Sequence, residues 1–229
     1  MNVLSIELFK DLYRTKKPIQ LFNIYKGIPI NYEGTVSGIK NEILYIKTNA
    51  YQLHAMLLEG RTYLEHDTFP LTIKAEVIKT YPEKTIALLQ NFIFTKRNIG
   101  DRDSVRVEAD YPSMVTLTGR RSTTAILYEL SNTGMALHLA PGFFKNANLK
   151  PEDEVFIDFM IPLNEDGIIL KEPIRMSGTI VTIRADKEKN MYRIGIQTYP
   201  DPKTEPLILK YISLRQSEIL RELRSETQE

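Results

Sequence analysis

The chain contains no cysteine. That excludes disulfides, thiolate nucleophiles and Cys-ligated zinc or iron–sulfur centres, and it fits a reducing compartment. It also has almost no charge imbalance: 30 Lys+Arg stand against 29 Asp+Glu, a net charge of +1. A polymeric nucleic-acid binder needs a basic excess on one face, and here only the small clusters Lys96-Arg97 and Arg120-Arg121 offer one. No stretch approaches the ~18 consecutive apolar residues of a membrane span, so stable membrane insertion is not expected. The N-terminus does not have the form of a signal peptide, because Glu7, Lys10 and Asp11 interrupt its apolar residues. A cytoplasmic protein is the expectation.

Catalytic signatures are scarce too. His54, His66 and His138 lie far apart and in no metal-ligand spacing. There is no nucleophile elbow, phosphate-binding glycine loop or dinucleotide fingerprint. The acidic runs Glu152-Asp153-Glu154 and Glu165-Asp166 sit in turn-like contexts and read as solvated turns. His138 alternates with Leu137 and Leu139, which suggests a position facing solvent or capping a core edge. Neither an enzyme nor a metal site is expected.

What the sequence does contain is strands. In 229 residues, with 42% hydrophobic and 26% charged, one or two domains can bury a core. Val3, Ile6, Leu8, Phe9 and Leu12 give an amphipathic helical pattern that Pro18 stops. Short strand patterns follow over 19–25, 32–39, 43–47, 71–77 and 85–94, separated by turn residues. A second set covers 115–117, 125–130, 135–139, 155–161, 174–183 and 191–198. Residues 155–161 carry apolar residues on both faces, which suggests a central strand. A helix from about residue 204 presents Ile208, Ile212, Ile219 and Leu223 on one face. The fold class is therefore mainly β: two small antiparallel barrels, the first of them split, with a helix at each terminus. The polar stretch 95–106 separates the two sets, which gives domains over 1–95 and 96–229.

Two segments carry recognisable chemistry. Arg102 and Arg106 stand four apart in the linker, and a pair of guanidinium groups can grip anionic oxygens or the O6/N7 edge of guanine. Glu129, Ser131 and Gly134 lie at a strand end and across a tight turn. A carboxylate and a hydroxyl there can accept from guanine N1–H and its exocyclic amine, and a glycine admits close approach.

Taken together, these segments resemble the PilZ domain, the cyclic di-GMP receptor module, which carries R-x-x-x-R before its barrel and D/N-x-S-x-x-G across two strands. Here the motifs read Arg102-x-x-x-Arg106 and Glu129-x-Ser131-x-x-Gly134. Tyr192-Arg193-Ile194-Gly195-Ile196 is similar to the family's last strand, and the resemblance covers about residues 100–225. The first half looks like the barrel that precedes PilZ in flagellar-brake proteins. The resemblance implies a ligand, cyclic di-GMP, bound by Arg102, Arg106, Glu129, Ser131 and Gly134. It also implies a ligand-dependent change in interdomain arrangement and a protein partner, of which a flagellar motor component is one example. Glu129 departs from the family's Asp or Asn, and a displaced hydrogen bond costs on the order of 1–3 kcal/mol. Two other readings remain open: an adaptor with a degenerate PilZ barrel that binds protein and no nucleotide, and a small-barrel RNA binder.

Overall fold

In a computed structural model, residues 6–95, 105–110, 112–165, 168–187 and 189–227 are described. Arg102, Asp101 and most of the linker lie outside them. The chain divides into two compact units, Met1–Arg102 with Leu220–Glu229, and Asp103–Ile219.

The first unit is a closed barrel of six antiparallel strands in the order β1-β2-β3-β6-β5-β4. The strands are β1 (Pro18–Tyr25), β2 (Ile28–Lys40), β3 (Ile43–Lys47), β4 (Arg61–Glu65), β5 (Thr72–Tyr81) and β6 (Ile86–Thr95). Alternation along β1 sends Ile19, Leu21 and Asn23 inward. Helix α1 (Lys10–Thr15), entered through a 3-10 turn, is shorter than the apolar pattern suggests. Phe9 and Leu12 still close the core, with Phe9 packed on Phe69 and Phe92 at ring-centroid distances of 5.6 and 4.8 Å.

Helix α2 (Ala50–Glu59) was not foreseen, and neither was β4. Asn49 caps α2, its side-chain oxygen accepting from the Tyr51 amide at 2.8 Å, and Gly60 ends it in the left-handed region at φ 64°. The helix is tied down by a polar knot. Asn23, fully buried, donates to Glu59 Oε2 (2.6 Å) and to the Arg61 carbonyl (2.7 Å). Its own oxygen accepts from Gln52 and Thr62, both at 2.8 Å. Satisfied this way, an inward polar residue is tolerated inside an apolar barrel.

The second unit holds β7 (Val107–Glu108), β8 (Met114–Thr118), β9 (Ser122–Ser131), β10 (Gly134–Leu139), β11 (Glu154–Glu165), β12 (Ile168–Asp186) and β13 (Met191–Tyr199). The sheet order is β10-β13-β12-β11-β8-β9-β7, and pairing of β9 with β10 brings the sheet back on itself as a barrel. Helix α3 (Pro141–Ala147) is short, and α4 (Thr204–Glu226) begins where the sequence pattern places it. Its last residues, from Leu220, belong to the first unit, where Glu226 accepts from the Tyr25 hydroxyl at 2.8 Å. Strand β11 is flanked by β8 and β12, as its apolar content suggests. Its second face, however, is open: Phe156 is 70% exposed, and Met160 lines a shallow hollow of about 510 Å³ with Met114 and Ile169.

Asn23→Ala should cost about 2–4 kcal/mol, because it removes the partner of buried Gln52 and Thr62 and two part-buried bonds to Glu59 and the Arg61 carbonyl. Urea unfolding should show that loss, and the exposed Asn31→Ala should stay within about 0.5 kcal/mol of the parent.

Candidate functional site

The site is organised by an irregularity in β9. On β10, Ala136 pairs with Glu129, but the next residue, Leu137, pairs with Leu127. Tyr128 is therefore an extra residue, a β-bulge of the kind that re-aims side chains. Leu127 and Leu130 stay in the core at 3% and 1% exposure. Tyr128 and Glu129, consecutive in sequence, both lie off the core and engage the same outer cluster.

That cluster is built by β10 and β13. Arg193 pairs with His138 across the β10–β13 ladder and reaches diagonally to Glu129, donating from Nη2 to Oε2 at 2.7 Å. Its guanidinium lies 4.7 Å from the Tyr128 ring centroid, and Lys189 Nζ lies 4.4 Å from the same centroid. Below them His138 stacks on Tyr128 with ring centroids 4.4 Å apart. A partly exposed ion pair and a cation–π contact each contribute on the order of 1 kcal/mol. The small residues Ala136 and Gly195, paired on adjacent strands, let the longer glutamate cross to the arginine. His138 faces neither solvent nor a core edge: it is 6% exposed, on the side of β10 away from Leu137 and Leu139. Its Nε2 has no hydrogen-bond partner and sits 3.8 Å from Asp186 Oδ2. Burial, then the positive charges of Lys189 and Arg193, hold the imidazole below its ordinary pKa.

The remaining motif residues meet at the same strand end. Gly134 pairs with Ser131 across the β9–β10 turn, and Val107 of β7 pairs with Leu130. Arg106, directly before Val107, thus leaves the ladder beside Ser131, and it is exposed. Strand β7 is held from its other side as well: Arg215 of α4 donates from Nε to the Glu108 carbonyl at 3.0 Å, and Tyr211 donates to Asp110 at 3.4 Å. The described residues therefore bring Arg106, Glu129, Ser131 and Gly134 together. Arg102 lies outside them.

Two of these residues have roles within the fold. Ser131 is buried, and its hydroxyl donates to the Gly134 carbonyl at 3.0 Å, bracing the turn. A Cβ on Gly134 would lie 2.7 Å from the Ile196 carbonyl oxygen of β13. The strand backbones approach too closely for any other residue, so the glycine's structural demand comes from β13. The sequence reasoning missed Tyr128, His138 and Arg193 as members of this cluster. Arg193 stands 64 residues from Glu129, and only strand register joins them. Among the described residues, no group of His, Asp or Glu could hold a metal ion, and no helix is long and apolar enough to cross a membrane.

Gly134→Ala should destabilise the chain by about 1–3 kcal/mol, since backbone must move to relieve the contact; chemical denaturation checks this. A second expectation concerns pH. The unfolded chain protonates His138 near the ordinary value of about 6.5, before the folded state does. Stability should therefore fall as pH drops below about 6.5, and this contribution levels off once pH passes the lower folded value. Urea midpoints from pH 7.5 to 5 should fall more steeply for the parent than for His138→Phe, which keeps an aromatic ring against Tyr128. Parallel curves would contradict it.

Residues 101–214 match the family model described as PilZ domain. No curated protein sequence matches the chain. Among solved structures, the chain is similar to the Bacillus subtilis inhibitor of motility MotI/DgrA, with 14% identity, a TM-score of 0.44, and coverage of 89% of this chain and 97% of that one. It is also similar to MrkH of K. pneumonia in complex with c-di-GMP, with 14% identity, a TM-score of 0.47 and coverage of 96% and 98%. The Escherichia coli YcgR complex with c-di-GMP shows 15% identity, a TM-score of 0.38 and coverage of 97% and 92%. Both motif segments lie inside the matched span, so residues 101–214 of this chain are a PilZ domain.

Proposed function

We propose that this chain is a cyclic di-GMP receptor whose output is a changed surface for a protein partner. Arg102 and Arg106 hold phosphate oxygens and the Hoogsteen edge of one guanine. Glu129 accepts from a guanine Watson–Crick edge, while Ser131 and Gly134 fix the turn beside it. The observation that carries this reading is the convergence of Arg106, Glu129, Ser131 and Gly134 at one strand end of a PilZ domain. A doubly anionic ligand neutralises the arginines. Because Arg102 and Arg106 stand where the chain passes from one unit to the next, capture there biases the relation between the two. It does so only to the extent that the ligand prefers one arrangement. The partner is a protein, with motility control through the flagellar motor as the target the family resemblance suggests. The receptor reading places the chain in the cytoplasm.

A second reading has a specific observation behind it. Glu129 is already engaged by Arg193, which suits an adaptor that binds protein alone. Isothermal titration with cyclic di-GMP decides between them. The receptor reading expects saturable binding by the intact chain. Arg106→Ala should weaken it at least tenfold, about 1.4 kcal/mol, and the exposed Lys40→Ala should leave it unchanged. No heat at high micromolar ligand would leave the adaptor.

A further inference from the structure

We propose that Arg193 is a specificity-determining residue of this site, and that with Glu129 it forms a guanine-reading edge in which the arginine supplies the donor. The inference rests on the receptor reading above and adds a residue that neither motif contains.

The argument starts from hydrogen-bonding inventories. The Watson–Crick edge of guanine presents one acceptor, O6, followed by two donors, N1–H and the exocyclic amine. Its complement must read donor, acceptor, acceptor, which is the order cytosine provides. A carboxylate alone offers only the two acceptors. The Glu129 carboxylate is held by an Arg193 N–H at 2.7 Å, so a guanidinium donor stands directly beside the two carboxylate oxygens. Each carboxylate oxygen has two lone-pair directions, so accepting from Arg193 leaves both able to accept from a base. The guanidinium has five N–H donors in a planar fork, and its bond to Glu129 uses one. The pair therefore carries donor, acceptor and acceptor side by side.

The surroundings restrict the arginine. Its stem leaves β13 opposite His138, and its head lies over Tyr128, which the bulge in β9 brings outward. Both members remain reachable: the Arg193 side chain is 40% exposed and that of Glu129 15%. The extra methylene of glutamate has a reason in this geometry, because Glu129 must cross the β10 strand at Ala136 to meet Arg193 on β13.

Adenine should be rejected. Its exocyclic amine would face the arginine donor and its N1 acceptor would face a carboxylate oxygen, leaving like groups opposed and unpaired. The pair thus accounts for base choice, while Arg102 and Arg106 account for attraction to the phosphates.

The test is calorimetric titration of the intact chain with cyclic di-GMP and, separately, with cyclic di-AMP, for the parent, Arg193→Met, Arg193→Gln and Arg106→Ala. Methionine keeps apolar packing on Tyr128 without a donor. Glutamine is the less disruptive change if Arg193→Met fails to fold, because its amide can still bond Glu129 but is too short to reach O6 as well. Thermal melts of ligand-free protein report folding. The expected result is a preference of the parent for the guanine dinucleotide and at least tenfold weaker binding of it by folded Arg193→Met or Arg193→Gln, with the preference over cyclic di-AMP narrowed. Parental affinity and preference in folded Arg193→Met or Arg193→Gln, alongside weakened binding by Arg106→Ala, would overturn the role of Arg193 and leave the receptor reading standing. Failure of the parent to bind cyclic di-GMP would overturn both.

Discussion

A single extra residue in β9 sets the chemistry of the second barrel. Strict alternation would send one of Tyr128 and Glu129 into the core and the other out. The bulge keeps Leu127 and Leu130 inside and turns both intervening side chains outward. Tyr128 then becomes a shelf for Arg193 and Lys189, and Glu129 becomes the carboxylate that Arg193 grips. The same strand takes β7 along its end and so brings Arg106 next to the turn. Moving the bulge by one residue would disperse the cluster without changing the number of strands.

The electrostatics of this cluster are self-contained. Arg193 and Lys189 are balanced locally by Glu129 and Asp186, and His138 beneath them is kept neutral by burial and by its cationic neighbours. A neutral imidazole suits this place, because a further positive charge stacked against Tyr128 would compete with the arginine and lysine for the same ring. The proposed site for a dianion is compatible with a chain whose overall charge is +1. In that proposal a few guanidinium groups supply attraction, and the groups beside Arg193 supply selectivity.

Much of the fold was legible, for identifiable reasons. Strand β3 (Ile43–Lys47) and the start of α4 at Thr204 follow directly from apolar periodicity bounded by turn residues. Helix α2 was hidden because Leu57 and Leu58 are more than half exposed, so its apolar residues surround the helix and blur its period. Strand β4, Arg-Thr-Tyr-Leu-Glu, is too short to show one. Strand β11 read as apolar on both faces, yet Phe156 and Met160 are exposed, since periodicity reports what a residue is and not what covers it. At the site, Arg106, Glu129, Ser131 and Gly134 were legible as spacing. Arg193 was not, because its meeting with Glu129 depends on the β10–β13 register and on a bulge that leaves no mark in composition. Spacing alone does not show the backbone demand at Gly134, which the Ile196 carbonyl of β13, distant in sequence, imposes.

The central claim is that the β9–β10 turn and the Glu129–Arg193 pair form one ligand surface. Backbone amide NMR of the isotopically labelled chain, titrated with cyclic di-GMP, tests it most directly. The account predicts saturable shifts concentrated at Tyr128 to Ala136 and at Arg193, with Met160 and Ile169 in the open hollow of β11 and β12 unmoved. Shifts confined to that hollow, or none at the strand end, would contradict it.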